Sequence, residues 1–298
     1  MRELAGKVAF ITGGGSGVAL GQAKIFAREG MRVVIADIRQ DHLDEALAHF
    51  RAQPGTQVHP IRLDITDRQA YARAADEAER VFGPVQLLCN TAGVSQFGPL
   101  QQATYDDWDW QIDVNLRGMI NGIQTFLPRM IASGLEGHIV NTASMSAFVA
   151  LPGTGIYCTT KMAVRGLSEC LHLDLASTKI GVSMLCPGAV NTNIHEAMLT
   201  RPEKYPATGY YGADPQVFQR LKEVISVGLE PTTLAEHVLK AVLNNEFYVL
   251  PFPEFRDTLN DIHAKVMSAL ARPEDDPELE KRMRRGVPGQ RAPQPAKS

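Results

Sequence analysis

A glycine-rich turn at the end of the first apolar run constrains this chain more than any other feature. Val8-Ala9-Phe10-Ile11 is a short hydrophobic run, Thr12-Gly13-Gly14-Gly15-Ser16-Gly17-Val18 follows it, and Ala19 to Glu29 reads as a helix with Ala23, Phe26 and Ala27 on one side. A strand that turns through glycines into a helix lets backbone N–H groups and the helix N-terminus meet a pyrophosphate. The spacing departs from G-x-G-x-x-G, since neither register ends in glycine. Its position between a strand and a helix is what separates it from an ordinary surface turn.

The strand-then-helix pattern repeats along the chain. Arg32 to Ala36 is the second apolar run and Asp41 to Phe50 the second helix. Val58 to Leu63 follows as a strand, placed at a sheet edge by Pro60. Val85 to Cys89, His138 to Asn141, Val182 to Leu185 and Phe247 to Leu250 complete the series, with helical segments between them. Short, nearly continuous apolar strands alternating with helices predict an α/β fold whose parallel sheet is covered on both faces. A length of 298 residues suits one large α/β domain or two small ones. We expect one domain over 1–271, with a long substrate loop at about 191–230, and a Pro-rich charged tail over 272–298. That tail reads as weakly ordered or as an arm on a neighbouring subunit.

Composition narrows the functional classes. The formal net charge is −3 and no block of basic residues lies in the body of the chain, so neither nucleic acid nor an anionic membrane is expected as a partner. No apolar run reaches the length of a membrane span, and the N-terminus lacks a signal-peptide core. Cys89, Cys158, Cys170 and Cys186 show no Cys-x-x-Cys spacing and read as free thiols of a cytoplasmic protein. The eight scattered histidines give no reason to expect a metal. Asp37 ends the second apolar run, where a carboxylate can accept hydrogen bonds from an adenosine ribose and repel a 2′-phosphate. With no Lys or Arg between Gly13 and Gly17, NAD is expected over NADP; a helix N-cap is the other reading of Asp37.

Tyr157 and Lys161 are four residues apart in a helical stretch, with Ser144 upstream. An i, i+4 pair shares a helix face. A cation beside a phenol favours the phenolate and would bring its pKa down from about 10. Such a phenol can exchange a proton with an alcohol or ketone oxygen, which Ser144 would hold. The pair alone also fits a half-buried Tyr beside a surface Lys.

Taken with Asp64-Ile65, Asn90-Thr91-Ala92-Gly93, Asn115 and Pro187-Gly188-x-Val190-x-Thr192, these residues resemble the short-chain dehydrogenases/reductases over roughly Leu4 to Val249. The resemblance implies a single Rossmann-like, doubly wound domain with a seven-stranded parallel sheet, in a homodimer or homotetramer. It makes Tyr157 the acid/base and lets Ser144 position the reacting oxygen. Lys161 would bind the nicotinamide ribose and lower the tyrosine pKa, and Asn115 would hold a relay water. Gly13, Ser16, Gly17 and Val18 would meet the pyrophosphate. Asp64 and Ile65 are assigned to the adenine, Asn90, Ala92 and Gly93 to the adenosine side, and Pro187, Gly188, Val190 and Thr192 to the nicotinamide. Two positions depart from the pattern. Ala19 stands where a third glycine is usual, with Gly21 as a possible replacement for close helix packing; Thr91 replaces a common asparagine.

Further segments, such as Gly21-Gln22-Ala23-Lys24 and Thr104 to Trp110, are similar to bacterial NAD-dependent Cα-dehydrogenases of lignin-derived β-aryl ethers. That similarity implies oxidation of a benzylic secondary alcohol to an aryl ketone. We expect Phe97, Met145, Phe148, His195 and Met198 to line the substrate pocket, together with lid tyrosines Tyr205, Tyr210 and Tyr211. A ketoreductase or hydroxysteroid dehydrogenase is the alternative, and a non-catalytic NAD-binding regulator a more distant one.

Overall fold

The computed structural model describes residues 1–210 and 215–284. Tyr211 and the tail from 285 onward lie outside the described residues. The backbone groups into two compact units, Met1–Pro253 and Glu254–Ser298. In the second unit, α-helices span Arg256–Ala269 and Leu279–Arg284. The expected domain limit at 271 falls just beyond the first of these.

The first unit is built on a single sheet of seven parallel strands: β1 (Val8–Thr12), β2 (Arg32–Asp37), β3 (Gln57–Arg62), β4 (Val85–Asn90), β5 (Gly137–Thr142), β6 (Ile180–Leu185) and β7 (Tyr248–Val249). Their order is β3-β2-β1-β4-β5-β6-β7, so the chain reverses its direction of sheet growth between β1 and β4. β3 sits at an edge, as Pro60 requires. Every residue of β1 and β5 is buried, which explains their unbroken apolar character: helices cover the sheet and leave no face for polar alternation.

The helices are α1 (Gly17–Arg28), α2 (Gln40–Arg51), α3 (Arg68–Phe82), α4 (Tyr105–Ile112), α5 (Gly118–Ser133), α6 (Gly155–Asp174), α7 (Pro215–Ser226) and α8 (Pro231–Asn244). α1 packs on α8, α3 on α5 and α4 on α6. Local chemistry sets several starts. Asp67 caps α3 by accepting from the Gln69 and Ala70 N–H groups, and Thr104 and Asp107 form a reciprocal capping box on α4. α1 and α8 approach closely at Gly21, where a Cβ would stand 2.5 Å from the Pro231 carbonyl oxygen. Gly21 therefore does the close-packing work expected after Ala19, which is itself buried.

Between α4 and α5 the chain makes a π turn over Asp113–Arg117, which the sequence pattern does not announce. Such widened turns recur at functional sites. Because all strands run one way, the segments after β1, β4, β5 and β6 gather at one end of the sheet, beside the reversal in strand order. In open α/β sheets that crevice is where ligands bind.

Candidate active site

The turn after β1 forms a cradle of bare backbone. Gly13 and Gly17 have φ of 72° and 52°, a region costly for other residues. A Cβ on Gly13 would lie 3.0 Å from the Ala92 Cα, and one on Gly15 would lie 2.7 Å from His42. Ser16 stands at the N-cap of α1 without a side-chain cap, and no acidic residue occupies the first turn. The first N–H groups of α1 are thus left for an anion. Thr12 closes the cradle's floor, its hydroxyl accepting from the N–H groups of Thr91 (2.9 Å) and Ala92 (3.1 Å). Thr192 packs over Gly17, 3.3 Å from the position of a Cβ there. Val190 bridges to Leu229, which fixes the Pro187-Gly188 segment beside the cradle.

Asp37 is buried at the end of β2, and each oxygen accepts one backbone N–H: Oδ2 from Gly15 (3.1 Å) and Oδ1 from Arg39 (3.0 Å). It ties the glycine turn to β2 and keeps further lone pairs for hydroxyl donors. Arg39 turns to Asp41 and to Glu196. The cradle, the uncapped helix and this carboxylate fit a dinucleotide.

Two residues expected at the adenosine end have side-chain partners within the chain. Asp64 accepts from the Thr66 N–H and hydroxyl, a local turn. Asn90 is buried and donates to Asn141 Oδ1 across the sheet, at 3.0 Å. Ile65 packs against Gly118, and its carbonyl accepts from Asn121. Thr91, in place of the common asparagine, donates to Gln22 and accepts from Thr142, so it still links α1 to β5.

Ser144, Tyr157, Lys161 and Asn115 come together. Ser144 follows β5 and is buried; its hydroxyl accepts from the Ser146 N–H at 3.1 Å and reaches the Pro187 carbonyl at a long 3.4 Å. It also faces the Tyr157 phenol. Lys161, one turn along α6, is buried with its Nζ 5.6 Å from the Tyr157 ring centroid, donating to the Thr142 carbonyl at 3.1 Å. Asn115, in the π turn, accepts from the Val94 N–H (2.8 Å) and donates to the Val94 carbonyl (2.9 Å) and to the Thr160 hydroxyl (3.2 Å). It splints the β4 loop to α6. Gly93 lies close to both, since a Cβ there would stand 3.2 Å from Asn115 Oδ1 and 3.6 Å from Lys161 Nζ.

Burial dominates the electrostatics of the pair. Burial pushes the Tyr157 phenol up to about 12, with the Ser144 hydrogen bond pulling the other way. Burial also brings the Lys161 ammonium down to about 8, which leaves it charged at neutral pH. The lysine is a buried charge facing a carbonyl and the phenol ring.

Among the expected pocket residues, Phe97 meets Tyr157 edge to face, with ring centroids 5.6 Å apart. Met145 is buried beside Ser144, its N–H bonded to the Pro187 carbonyl. His195 is buried and Met198 half-buried in a short helix, Ile194–Thr200. Phe148 turns away: its ring stacks under the Arg165 guanidinium at 4.2 Å and approaches Tyr248. Tyr205 donates to Asp113 at 2.6 Å, and Tyr210 packs its ring on Gly98. Sequence reasoning missed Arg201, which forms a buried pair with Asp107 at 2.5 Å. The capping box Thr104-x-x-Asp107 was the available sign that this aspartate had a structural post.

No helix among the described residues is long and apolar enough to cross a membrane. A model of the short chain dehydrogenase family matches residues 7–202. A C alpha-dehydrogenase of Sphingobium sp. strain SYK-6 is 45% identical over 279 residues, covering 93% of this chain and 91% of the relative. The apo form of LigO from the same strain is 54% identical with a TM-score of 0.80, covering 97% of this chain and 100% of that one. A short chain dehydrogenase/reductase from Burkholderia phymatum, solved in complex with NAD, is 34% identical with a TM-score of 0.86, covering 91% of this chain and 98% of that one. The chain belongs to the short-chain dehydrogenase family of NAD(P)-using oxidoreductases.

Proposed function

We propose that this member of the short-chain dehydrogenase family oxidises a bulky, benzylic secondary alcohol of the aryl glycerol ether type to its ketone, with NAD as the cofactor. The observation that carries the reading is the edge-to-face contact of Phe97 with Tyr157, which sets an aromatic wall beside the reacting phenol. The likeness to a C alpha-dehydrogenase supports it. NAD is favoured because the Asp37 carboxylate would repel a 2′-phosphate, while Arg39 is engaged by Asp41 and Glu196.

When bound, nicotinamide supplies the hydride acceptor. The chain's residues handle the oxygen and its proton. Ser144 can exchange its long bond to the Pro187 carbonyl for one to the substrate oxygen. Tyr157 accepts the hydroxyl proton as the carbinol carbon loses hydride. A phenol held near 12 is protonated at neutral pH, the form that donates in the reductive direction. Oxidation requires it to be lowered in the loaded enzyme, and Lys161 is the cation within reach. Asn115 keeps Val94 and Thr160 fixed around this group. A homodimer or homotetramer belongs to the reading; exposed Ile120 and Ile131 on α5 and Met162 and Leu173 on α6 supply apolar surface for it. The thiols, free of disulfides, fit a cytoplasmic setting.

The test is NADH formation across benzylic, steroid and simple alcohols, with NADP in a parallel arm. Benzylic alcohols should give the highest kcat/KM, and Tyr157→Phe should leave less than about a few per cent of it. A steroid preference would favour the hydroxysteroid reading, equal use of NADP would remove Asp37 from its role, and no turnover with any alcohol would leave the regulator.

A further inference from the structure

Arg201 lies beyond the motifs that define the family, in the segment after the short helix Ile194–Thr200. Its guanidinium is nearly buried and almost saturated. It donates to Asp107 Oδ1 (2.5 Å), Gln96 Oε1 (2.7 Å) and the carbonyls of Tyr205 (2.8 Å) and Ala207 (2.6 Å), leaving one N–H unused. It also lies 5.2 Å from the Trp110 ring centroid. Asp107 is fully buried and accepts in addition from the Thr104 and Gly209 N–H groups. So committed a cation has no free pair of N–H groups to clasp a substrate carboxylate; it holds the strap 201–210 onto α4.

The strap then grips the wall on both sides of Phe97. Gln96 is bonded by Arg201 on one amide atom and by the Thr208 hydroxyl on the other, at 3.0 Å. Gly98 carries the Tyr210 ring so closely that any Cβ would overlap it. Phe97 itself faces the Tyr157 ring. We propose that Arg201 is a positioning residue, and that the Arg201–Asp107 pair fixes the Phe97 wall and so sets affinity for the aryl group of a bulky alcohol. This rests on the alcohol-dehydrogenase reading above. A buried pair broken on one side leaves the partner charge exposed to a low-dielectric interior, so the loss falls on the strap's order.

Arg201→Met tests it, read as a split between KM and kcat on the best bulky alcohol of the panel and on a small secondary alcohol. The expected result is a rise of about tenfold or more in KM for the bulky alcohol, with its kcat and the small alcohol's KM within about threefold of the parent. Arg201→Lys, which keeps the charge without the fork, should fall between the two. Gly98→Ala displaces the Tyr210 ring while leaving the ion pair in place, and it should give the same selective KM rise; if Arg201→Met does not fold, Arg201→Lys tests the pair and Gly98→Ala the wall. Equal changes on both alcohols, or none, would overturn the proposal. Hydrogen exchange supplies a readout that needs no substrate: the Gly98 amide, bonded to the Gly153 carbonyl at 2.8 Å, should exchange faster in Arg201→Met. Unchanged exchange would overturn the strap, whereas failure of every bulky alcohol with the parent enzyme would count against the substrate reading instead.

Discussion

Lys161→Met should separate the stability cost of the site from its chemistry. Lys161 is 4% exposed and burial takes its ammonium from 10.5 to about 8. At roughly 1.4 kcal/mol per pH unit, that burial costs the folded cofactor-free protein on the order of 3 kcal/mol at neutral pH. Replacement by Met removes the charge but also the hydrogen bond to the Thr142 carbonyl, a loss of about 1–2 kcal/mol. The variant should therefore be about 1–2 kcal/mol more stable at pH 7, a Tm higher by about 2–8 °C, while being inactive. The sharper readout is the pH dependence. Because the folded pKa lies below the unfolded one, the unfolded chain binds more protons between about 8 and 10.5. In that window stability rises with pH, and it is lost as pH falls through the folded value. The wild type should gain on the variant across it, while the lost hydrogen bond contributes a constant. Thermal melts of both proteins without cofactor from pH 7 to 10.5 measure the difference. A gap that stays flat with pH would refute the reasoning, since only titration of Lys161 can bend it. Tyr157 shifts the opposite way, so stability falls as pH rises above about 10, but that slope is common to both proteins.

Two further predictions follow from packing. Gly21→Ala places a methyl against the Pro231 backbone, which cannot swing aside; overpacking of about 1–3 kcal/mol outweighs the roughly 1 kcal/mol helix preference for alanine, so Tm should fall, with a larger fall for Gly21→Leu. Phe148→Ala should leave KM for the bulky alcohol within about twofold, because the ring sits under Arg165 and does not face Tyr157; a large KM rise would return Phe148 to the pocket.

What could be read from the sequence was what the backbone alone decides. Continuous apolar runs had to be strands buried on both faces, and glycines at the end of the first had to make a cradle. Pro60 had to lie at an edge, and β3 does. Side-chain direction was harder. Asn90 belongs to the expected motif, yet it turns to Asn141, because a polar side chain at a buried strand end must find a partner within the sheet. Asp64 found its partner two residues away in Thr66. The burial shifts of Tyr157 and Lys161 were out of reach because spacing shows who shares a face and says nothing of desolvation. The Arg201–Asp107 pair joins residues 94 apart, and no local pattern encodes that meeting.

The π turn at Asp113–Arg117 has a consequence for how this site can evolve. It carries one residue more than an α-helical turn would, and each residue of a helix turns its neighbours by about 100°. Within those five positions Asp113 receives the Tyr205 hydroxyl, while Asn115 faces Val94 and Thr160. Deleting a single residue would restore a regular helix and swing one of these contacts out of register with the other. The segment can therefore accept changes of side chain far more readily than changes of length, and the distance from strap to proton-handling group is counted out in backbone rather than held by any one contact.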